Sequence, residues 1–242
     1  MKYAIIAGGE GSRLAQEGVK DVKPLVAING ERLIDRLVRV FTDNGAESIV
    51  IVYRDSMQGV ARHLETLQHD GIGGKHVDID AVEAHTPSSM HSLFAMSGQL
   101  KDAPFCLTTV DTVFSEAAFK GYIDAFTAAV SSGTADGLMA VTDYIDDERP
   151  LYVATDDGMN ITGFLDEGEG CRYVSAGIYG LKPEAIEVLD GCIRRGESRM
   201  RNFQRALLRS GFRLKAYNIG KAFDIDHAAD IAKAEHFMRE TI

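Results

Sequence analysis

The sequence is poor in basic residues and in cysteine and has no long apolar run, and each shortage excludes a class of protein. Its 242 residues carry 36 acidic but only 26 basic side chains, which gives a net charge of −10. A field of this sign repels phosphate and argues against non-specific binding to nucleic acid or to an anionic membrane. No segment approaches the roughly 20 apolar residues that span a bilayer. Any phosphate must therefore be bound locally, by a few placed cations or by a metal.

The cysteines point to a reducing compartment. Cys106, Cys171 and Cys192 are odd in number, widely spaced and free of any Cys-x-x-Cys pair that would bind zinc or perform redox chemistry. The apolar stretch Tyr3–Ala7 is too short for a secretory signal and leads directly into glycines. These observations predict a cytoplasmic protein.

Short apolar segments alternate with segments of helical periodicity in the first part of the chain. The predicted buried strands are Tyr3–Ala7, Ser48–Tyr53, Val77–Val82, Phe105–Val110 and Gly137–Val141. The helical faces between them begin near Leu33, Val60 and Phe119. This alternation predicts an α/β fold, Rossmann-like, with a mixed but mainly parallel sheet flanked by helices.

The pattern changes after about residue 145. Three further strands are predicted close together, at Leu151–Thr155, Ile161–Phe164 and Tyr173–Leu181, and they indicate a small antiparallel excursion from the main sheet. Helical periodicity then returns in Pro183–Arg195, Met200–Ser210 and His227–Thr241. Because no linker, repeat or low-complexity tract divides the chain, we expect a single domain over residues 1–242.

The most informative stretch is Ala7–Leu14, which reads Ala-Gly-Gly-Glu-Gly-Ser-Arg-Leu directly after the first predicted strand. Open α/β sheets bind their ligands at this carboxyl edge. Glycines let the backbone approach a phosphate closely, and Arg13 offers a guanidinium fork to phosphate oxygens. The lysine of a Walker P-loop is absent, and the glycine spacing is not that of a dinucleotide-binding Rossmann fold. By themselves these residues are equally compatible with a tight strand-to-helix turn beside an exposed arginine.

A second motif, Lys23-Pro24-Leu25, lies ten residues beyond Arg13. Together the two motifs resemble the nucleotidyltransferase family that couples nucleoside triphosphates to sugar phosphates and related phosphate monoesters. The resemblance implies two catalytic residues, Arg13 holding the triphosphate and Lys23 contacting phosphates at the reaction centre. It also implies a nucleotide site formed by Gly8, Gly9, Gly11 and Ser12. The chain departs from many sugar-nucleotide members in the connecting loop, where it has Ala15-Gln16-Glu17.

Two carboxylates are candidates for a magnesium site. Asp111 follows the predicted strand Phe105–Val110, and Asp224 comes late in the chain, in Phe223-Asp224-Ile225-Asp226. Carboxylate oxygens are the ligands that Mg²⁺ takes when it also binds phosphates. The resemblance implies that Asp111 and Asp224 hold this metal. Asp226 is the alternative second ligand or a cap for the last helix, and Asp111 could itself be a helix cap, although Ser115 is the better candidate.

Two further segments match ligand-binding parts of the family. Ser89 lies in Thr86–Leu93, where relatives contact base and ribose, although Ser88 or Ser89 also suits a helix cap. Gly177 lies in Val174–Tyr179, where a small residue lets the acceptor sugar rest against the backbone.

The usual family motif Glu-Lys-Pro is not preserved before that strand. Glu167 is present, but the lysine that would hold a sugar phosphate is missing. This loss puts the ordinary hexose 1-phosphate pocket in doubt. Arg172, Lys182 or one of the arginines at 194, 195, 199 and 201 could supply the cation instead.

The resemblance implies a Mg²⁺-dependent nucleotidyltransferase that joins a nucleoside triphosphate to a sugar phosphate and releases pyrophosphate. Residues 1–145 would form the nucleotide-binding half and residues 146–242 the acceptor-binding half. Ser92-Leu93 and the missing lysine keep open a cytidylyltransferase for a small alcohol phosphate such as phosphocholine. A non-catalytic nucleotide-binding module is a third alternative, against which Lys23, Asp111 and Asp224 argue. We expect neither nucleic acid nor membrane as a partner and leave a homo-oligomer open.

Overall fold

A nine-stranded sheet forms the middle layer of the computed structural model, which describes residues 1–168 and 170–240. The strands, including two short pairs outside the main sheet, are β1 (Lys2–Ile6), β2 (Ala27–Ile28), β3 (Glu31–Arg32), β4 (Ser48–Tyr53), β5 (Asp78–Glu83), β6 (Phe105–Thr109), β7 (Thr112–Phe114), β8 (Gly137–Thr142), β9 (Tyr152–Thr155), β10 (Ile161–Leu165), β11 (Tyr173–Leu181), β12 (Leu214–Asn218) and β13 (Ala222–Asp224). The helices are α1 (Ser12–Gln16), α2 (Leu33–Asp43), α3 (Gln58–Asp70), α4 (Ser89–Ala95), α5 (Ser97–Leu100), α6 (Glu116–Ser131), α7 (Ala185–Arg194), α8 (Met200–Arg209) and α9 (Ala228–Glu240), with a 3₁₀ turn at Lys23–Leu25.

The sheet is mixed but mainly parallel, as predicted. Strands β5, β4, β1 and β6 are parallel neighbours, β11 runs antiparallel to β6 and to β8, and β12 pairs parallel with β8. Strands β9 and β10 form an antiparallel pair that joins the first half of β11. This pair is the antiparallel excursion expected in the second half of the chain.

Both faces of the sheet are covered by helices because its central strands are apolar on both sides. In β1, Tyr3 and Ile5 enter a core with α2, α3, α6 and α9, whereas Ala4 and Ile6 enter a second core with α4, α7 and α8. Each fully buried apolar side chain of this kind contributes about 1.5–3 kcal/mol. The alternation along β1 thus produces a three-layer α/β/α architecture.

The predicted strand and helix positions agree with the structure to within a few residues. The strand predicted at Val77–Val82 begins one residue later, and the helix predicted at His227–Thr241 begins at Ala228. Its expected end, Thr241, lies outside the described residues. The short antiparallel pairs β2–β3 and β7–β13 were not predicted. Within the described part of the chain, no helix combines the length and apolarity needed to cross a bilayer.

Candidate active site

Three loops meet at the carboxyl edge of the parallel strands. β1 and β6 pair in register up to Ile6 opposite Thr109, so the glycine loop and Asp111 leave the sheet side by side. The backbone N–H of Ile225 donates to the carbonyl of Asp111 at 3.1 Å. The pairing of β13 with β7 therefore brings the late aspartates to the same place as the first loop.

The glycine loop needs glycine where it passes closest to Lys23. Gly11 has φ +60°, and a Cβ there would lie 3.3 Å from Cβ of Lys23, so an L side chain would be both strained and crowded. Gly9 and Ser12 are exposed on this loop. Arg54, directly after β4, donates from Nε to the carbonyl of Gly8 at 3.3 Å and from Nη1 to Glu10 at 2.8 Å. The loop is thereby anchored to the next strand of the sheet.

Lys23 is held between two carboxylates. Its side chain is only 8% exposed, and Nζ donates to Asp111 at 2.6 Å and to Asp226 at 2.8 Å. Burial alone would lower the pKa of Lys23, but the charges and hydrogen bonds of Asp111 and Asp226 outweigh it and raise the pKa. Lys23 is therefore a fixed cation at neutral pH.

Asp224 lies beside Asp111 without a cationic partner of its own among the described residues. Thr112 donates from Oγ1 to Asp224 Oδ1 at 2.9 Å. The Asp224 side chain is exposed to the cleft, so its carboxylate is only partly desolvated. This partial desolvation, followed by the negative charge of Asp111, raises the pKa of Asp224 to about 7. The two neighbouring carboxylates therefore repel each other and would gain from a bound cation.

Asp226 has a different position from the one expected of a helix cap. Its carboxylate accepts from Lys23 and lies 3.4 Å from Nη1 of Arg13. Burial favours a higher pKa for Asp226, but the hydrogen bond and charge of Lys23, helped by Arg13, lower it. The free N–H groups before α9 are instead bound by Glu17, which accepts from Ala228, and by Asp230. The capping interpretation of Asp226 is wrong.

Ser115 fulfils the capping role predicted for it, since its Oγ accepts from the N–H of Ala118 at 3.4 Å at the start of α6. Asp111 lies in the turn between β6 and β7 and not at a helix start. Its carboxylate therefore has no capping role and accepts a hydrogen bond from Lys23.

A cleft of about 800 Å³ opens beside these charges. Arg13, Ser89, Gly177, Asp224 and Asp226 all line it. The cleft thus brings together predicted residues from both halves of the chain, whereas its lining does not include Gly8, Gly9, Gly11, Ser12, Lys23 or Asp111. Ser88, the residue before α4, uses its Oγ to contact His91 and does not cap the helix, which leaves Ser89 to face the cleft.

Gly177 lies where β11 bulges away from β8. Its φ is +74°, and a Cβ there would approach Oγ1 of Thr112 to 3.3 Å. A side chain at this position would press on the residue that holds Asp224. Glycine therefore keeps this part of the cleft open.

The residues considered as replacements for the missing lysine differ in whether they line the cleft. Lys182 follows the end of β11 at the opposite edge of the sheet and pairs with Asp136 at 2.9 Å. Arg172 contacts Asp143 at 3.5 Å. Arg199 and Arg201, by contrast, line the cleft. Of the residues considered as replacements, the arginines before and within α8 are therefore the ones that line the cleft.

The two aspartates suit magnesium in their chemistry. Mg²⁺ is commonly held by one or two carboxylates, with water and substrate phosphates completing its ligands. Asp111 and Asp224 offer such oxygens, and their mutual repulsion would be relieved by a divalent cation. Within residues 1–168 and 170–240, no group of three or more His, Cys, Asp or Glu side chains forms a complete metal site. The donor set therefore fits a metal shared with a phosphate ligand.

Two residues of the site were missed in the sequence. Arg54 follows directly on a predicted strand at the ligand-binding edge, and that position was a usable signal. Thr112 follows Asp111, but its bond to Asp224 spans 112 residues and depends on the unpredicted pairing of β7 with β13.

The fold and a family comparison together define the class of this protein as a nucleotidyltransferase. The family model described as MobA-like NTP transferase domain matches residues 3–173, more than half of the chain. The chain belongs to that family and is an enzyme of the nucleotidyltransferase class. No curated protein sequence shows significant similarity to it.

Solved structures share its architecture across nearly its whole length. The inositol-1-phosphate CTP transferase from T. maritima has a TM-score of 0.80 and 17% identity, and the match covers 99% of this chain and 95% of that one. A putative glucose-1-phosphate thymidylyltransferase from Bacillus anthracis has a TM-score of 0.82, 19% identity and coverages of 99% and 96%. A UDP-glucose pyrophosphorylase has a TM-score of 0.80 and 15% identity, and the match covers 100% of this chain and 99% of that one. At these identities the likeness concerns the fold.

Proposed function

We propose that this enzyme transfers a nucleotidyl group from a nucleoside triphosphate to the phosphate of a sugar or a related polyol and releases pyrophosphate. The observation that carries the proposal is a charged cluster in which Lys23 pairs with Asp111 and Asp226, while Arg13, Asp224 and Asp226 line the adjoining cleft. The structures with the same fold that act on inositol 1-phosphate and glucose 1-phosphate support the acceptor class.

The first half of the chain, about residues 1–145, would bind the nucleotide. The backbone of Gly8, Gly9, Gly11 and Ser12 would approach the phosphates, and Arg13 would pair with them in place of Asp226. The Arg13–Asp226 contact is long, at 3.4 Å, and both side chains are about half exposed. A triphosphate can therefore displace it at little cost. Ser89, which lines the same cleft as Arg13, would contact base or ribose.

The reaction needs positioning and charge neutralisation more than proton transfer. An acceptor phosphate oxygen would attack the α-phosphorus in line, with pyrophosphate leaving. Lys23 would hold the two anions together, because Asp111 and Asp226 fix its ammonium in place. Asp111 and Asp224 would hold Mg²⁺, which when bound supplies charge neutralisation at the reacting phosphates.

The second half, about residues 146–242, would bind the acceptor. Gly177 leaves room for a sugar ring against the backbone of β11, and Arg199 and Arg201 provide cations on that wall. These arginines take the place of the lysine that the sequence lacks near Glu167.

The aromatic side chains of the cleft argue against phosphocholine as the acceptor. A choline headgroup is typically bound on aromatic faces. Here Tyr144 and Phe223 line the cleft, but Lys221 Nζ lies 4.7 Å from the ring centre of Tyr144 and Lys233 Nζ lies 4.1 Å from that of Phe223. A second cation on these rings would be repelled.

The test is a pyrophosphate-release assay over a panel of substrates. CTP, UTP, GTP, ATP and dTTP are each combined with glucose 1-phosphate, myo-inositol 1-phosphate or phosphocholine in the presence of Mg²⁺. We expect turnover with a sugar or polyol phosphate and little with phosphocholine. Preference for phosphocholine would contradict the acceptor assignment, and binding without any pyrophosphate release would favour a non-catalytic module.

A further inference from the structure

A second cavity of about 740 Å³ adjoins the active-site cleft. Glu148, Arg149, Arg199 and Arg201 line both spaces, so a ligand at this end of the cleft lies next to the second cavity. None of the residues of this cavity belongs to the nucleotide or metal site proposed above, and two of them, Arg199 and Arg201, belong to the proposed acceptor wall. The second cavity therefore borders the acceptor side.

The second cavity is basic, in contrast to the cleft. Its wall includes Arg149, Arg199, Arg201 and Arg205. Asp166 neutralises only part of this charge, since Arg201 at 2.6 Å and Arg205 at 2.8 Å share its carboxylate. Glu197, also in the wall, is paired with Arg195 at 2.7 Å.

Two arginines of the wall have no carboxylate partner. Within the described residues, the guanidinium groups of Arg149 and Arg199 form no ion pair, and both side chains are exposed to the cavities they line. In the part of the chain that the structure describes, Glu148 is the acid of this wall that forms no ion pair. Its single negative charge is outweighed by the two positive charges of Arg149 and Arg199. In a chain of net charge −10, such an excess marks a place where an anion is favoured.

We infer that the second cavity binds an additional acidic group of the acceptor, a carboxylate or a second phosphate carried on the sugar or polyol. This inference rests on the proposed function. Guanidinium groups pair with either anion through two parallel hydrogen bonds. The acceptor would then place its reacting phosphate near Lys23 and its acidic group near Arg149.

Three acceptors that differ in one group provide the test: glucose 1-phosphate, glucuronic acid 1-phosphate and glucose 1,6-bisphosphate. KM and kcat are measured by pyrophosphate release, and equilibrium binding is measured by calorimetry without nucleotide. We expect at least one acidic compound to bind about tenfold more tightly than glucose 1-phosphate, the effect of one charged hydrogen bond. The better of the two acidic compounds identifies the group, carboxylate or phosphate.

Arg149→Ala is the informative variant, and Arg194→Ala is its matched control. Arg194 lies on α7, is exposed and pairs with Asp190 away from both cavities. The Arg149 variant should reduce the ratio of acidic to neutral affinity about tenfold, whereas the Arg194 variant should leave it unchanged. Equal affinity for acidic and neutral compounds in the wild type, or an unchanged ratio in Arg149→Ala, would overturn the inference.

The two proposals fail separately. Arg149-dependent binding of an acidic compound without pyrophosphate release would leave the subsite intact and reject the reaction. Pyrophosphate release from the nucleoside triphosphate with glucose 1-phosphate as acceptor, and no preference for acidic acceptors, would support the reaction and reject the subsite.

Discussion

Lys23 is expected to contribute both to the stability of the folded protein and to turnover, and the variant Lys23→Met tests the two contributions separately. Methionine keeps the length of the buried stem but removes the ammonium that contacts Asp111 at 2.6 Å and Asp226 at 2.8 Å. A hydrogen bond between charged groups contributes about 1.5–3 kcal/mol. Because Asp226 is about half exposed, its bond counts for less. We expect a loss of about 2–4 kcal/mol in the free energy of unfolding, measured by urea denaturation.

The same substitution should change how the protein responds to magnesium. Without Lys23, Asp111 and Asp224 face each other with no neighbouring ammonium. A divalent cation then becomes the available source of positive charge, and it stabilises the folded state by mass action. In the absence of nucleotide, about 10 mM MgCl₂ should raise the melting temperature of Lys23→Met more than that of the wild type. Turnover should nevertheless fall by about 10²–10³-fold, since the preorganised ammonium is lost.

Lys120→Met is the control for this experiment. Lys120 pairs with Asp124 at 3.0 Å on the exposed face of α6, and it neither lines the cleft nor contacts Asp111 or Asp224. Such a surface pair contributes little to stability. The melting temperatures of both variants and of the wild type are measured with and without MgCl₂. A magnesium response of Lys23→Met no larger than that of the wild type would refute the placement of a metal between Asp111 and Asp224.

Three further predictions concern single substitutions. Asp111→Asn should abolish most pyrophosphate release at saturating Mg²⁺ while the circular-dichroism spectrum is unchanged; near-normal release would contradict its role as a metal ligand. Arg13→Ala should slow turnover by about 10²–10³-fold with little effect on melting temperature, and kinetics equal to the wild type would make this arginine a surface residue. Asp136 accepts hydrogen bonds from Arg213 and Lys182, which hold the pKa of its carboxyl well below the usual range. The stabilisation that Asp136 contributes is present above the ordinary carboxyl pKa and is lost as the pH falls. Asp136→Asn should therefore lower the urea midpoint at neutral pH, and the difference in midpoint from the wild type should become smaller in acid. A difference in midpoint that does not depend on pH would contradict this prediction.

The strands and helices were predictable because their patterns are local. Ser48–Tyr53 and Phe105–Val110 are runs of apolar and β-branched residues, and they form β4 and β6. The pairs β2–β3 and β7–β13 were not predictable in the same way. They are two or three residues long, and β7–β13 joins segments about a hundred residues apart, so its stability comes from tertiary context.

Most members of the candidate site were predictable, but the pairings between them were not. The glycine loop, Lys23, Asp111 and Asp224 lie at element ends that a sequence motif identifies. That Asp226 pairs with Lys23, and does not cap α9, depends on how the segment after β13 turns toward the first loop. A local pattern carries no information about that turn.

The most direct test of the central claim follows the α-phosphate. The enzyme is incubated with Mg²⁺, an acceptor that supports turnover, and the preferred nucleoside triphosphate labelled with ³²P at either the α- or the γ-phosphorus. Nucleotidyl transfer predicts that the α-label appears in a nucleotide–acceptor product and the γ-label in pyrophosphate. Recovery of the γ-label on the acceptor, or of the α-label in free nucleoside diphosphate, would contradict it.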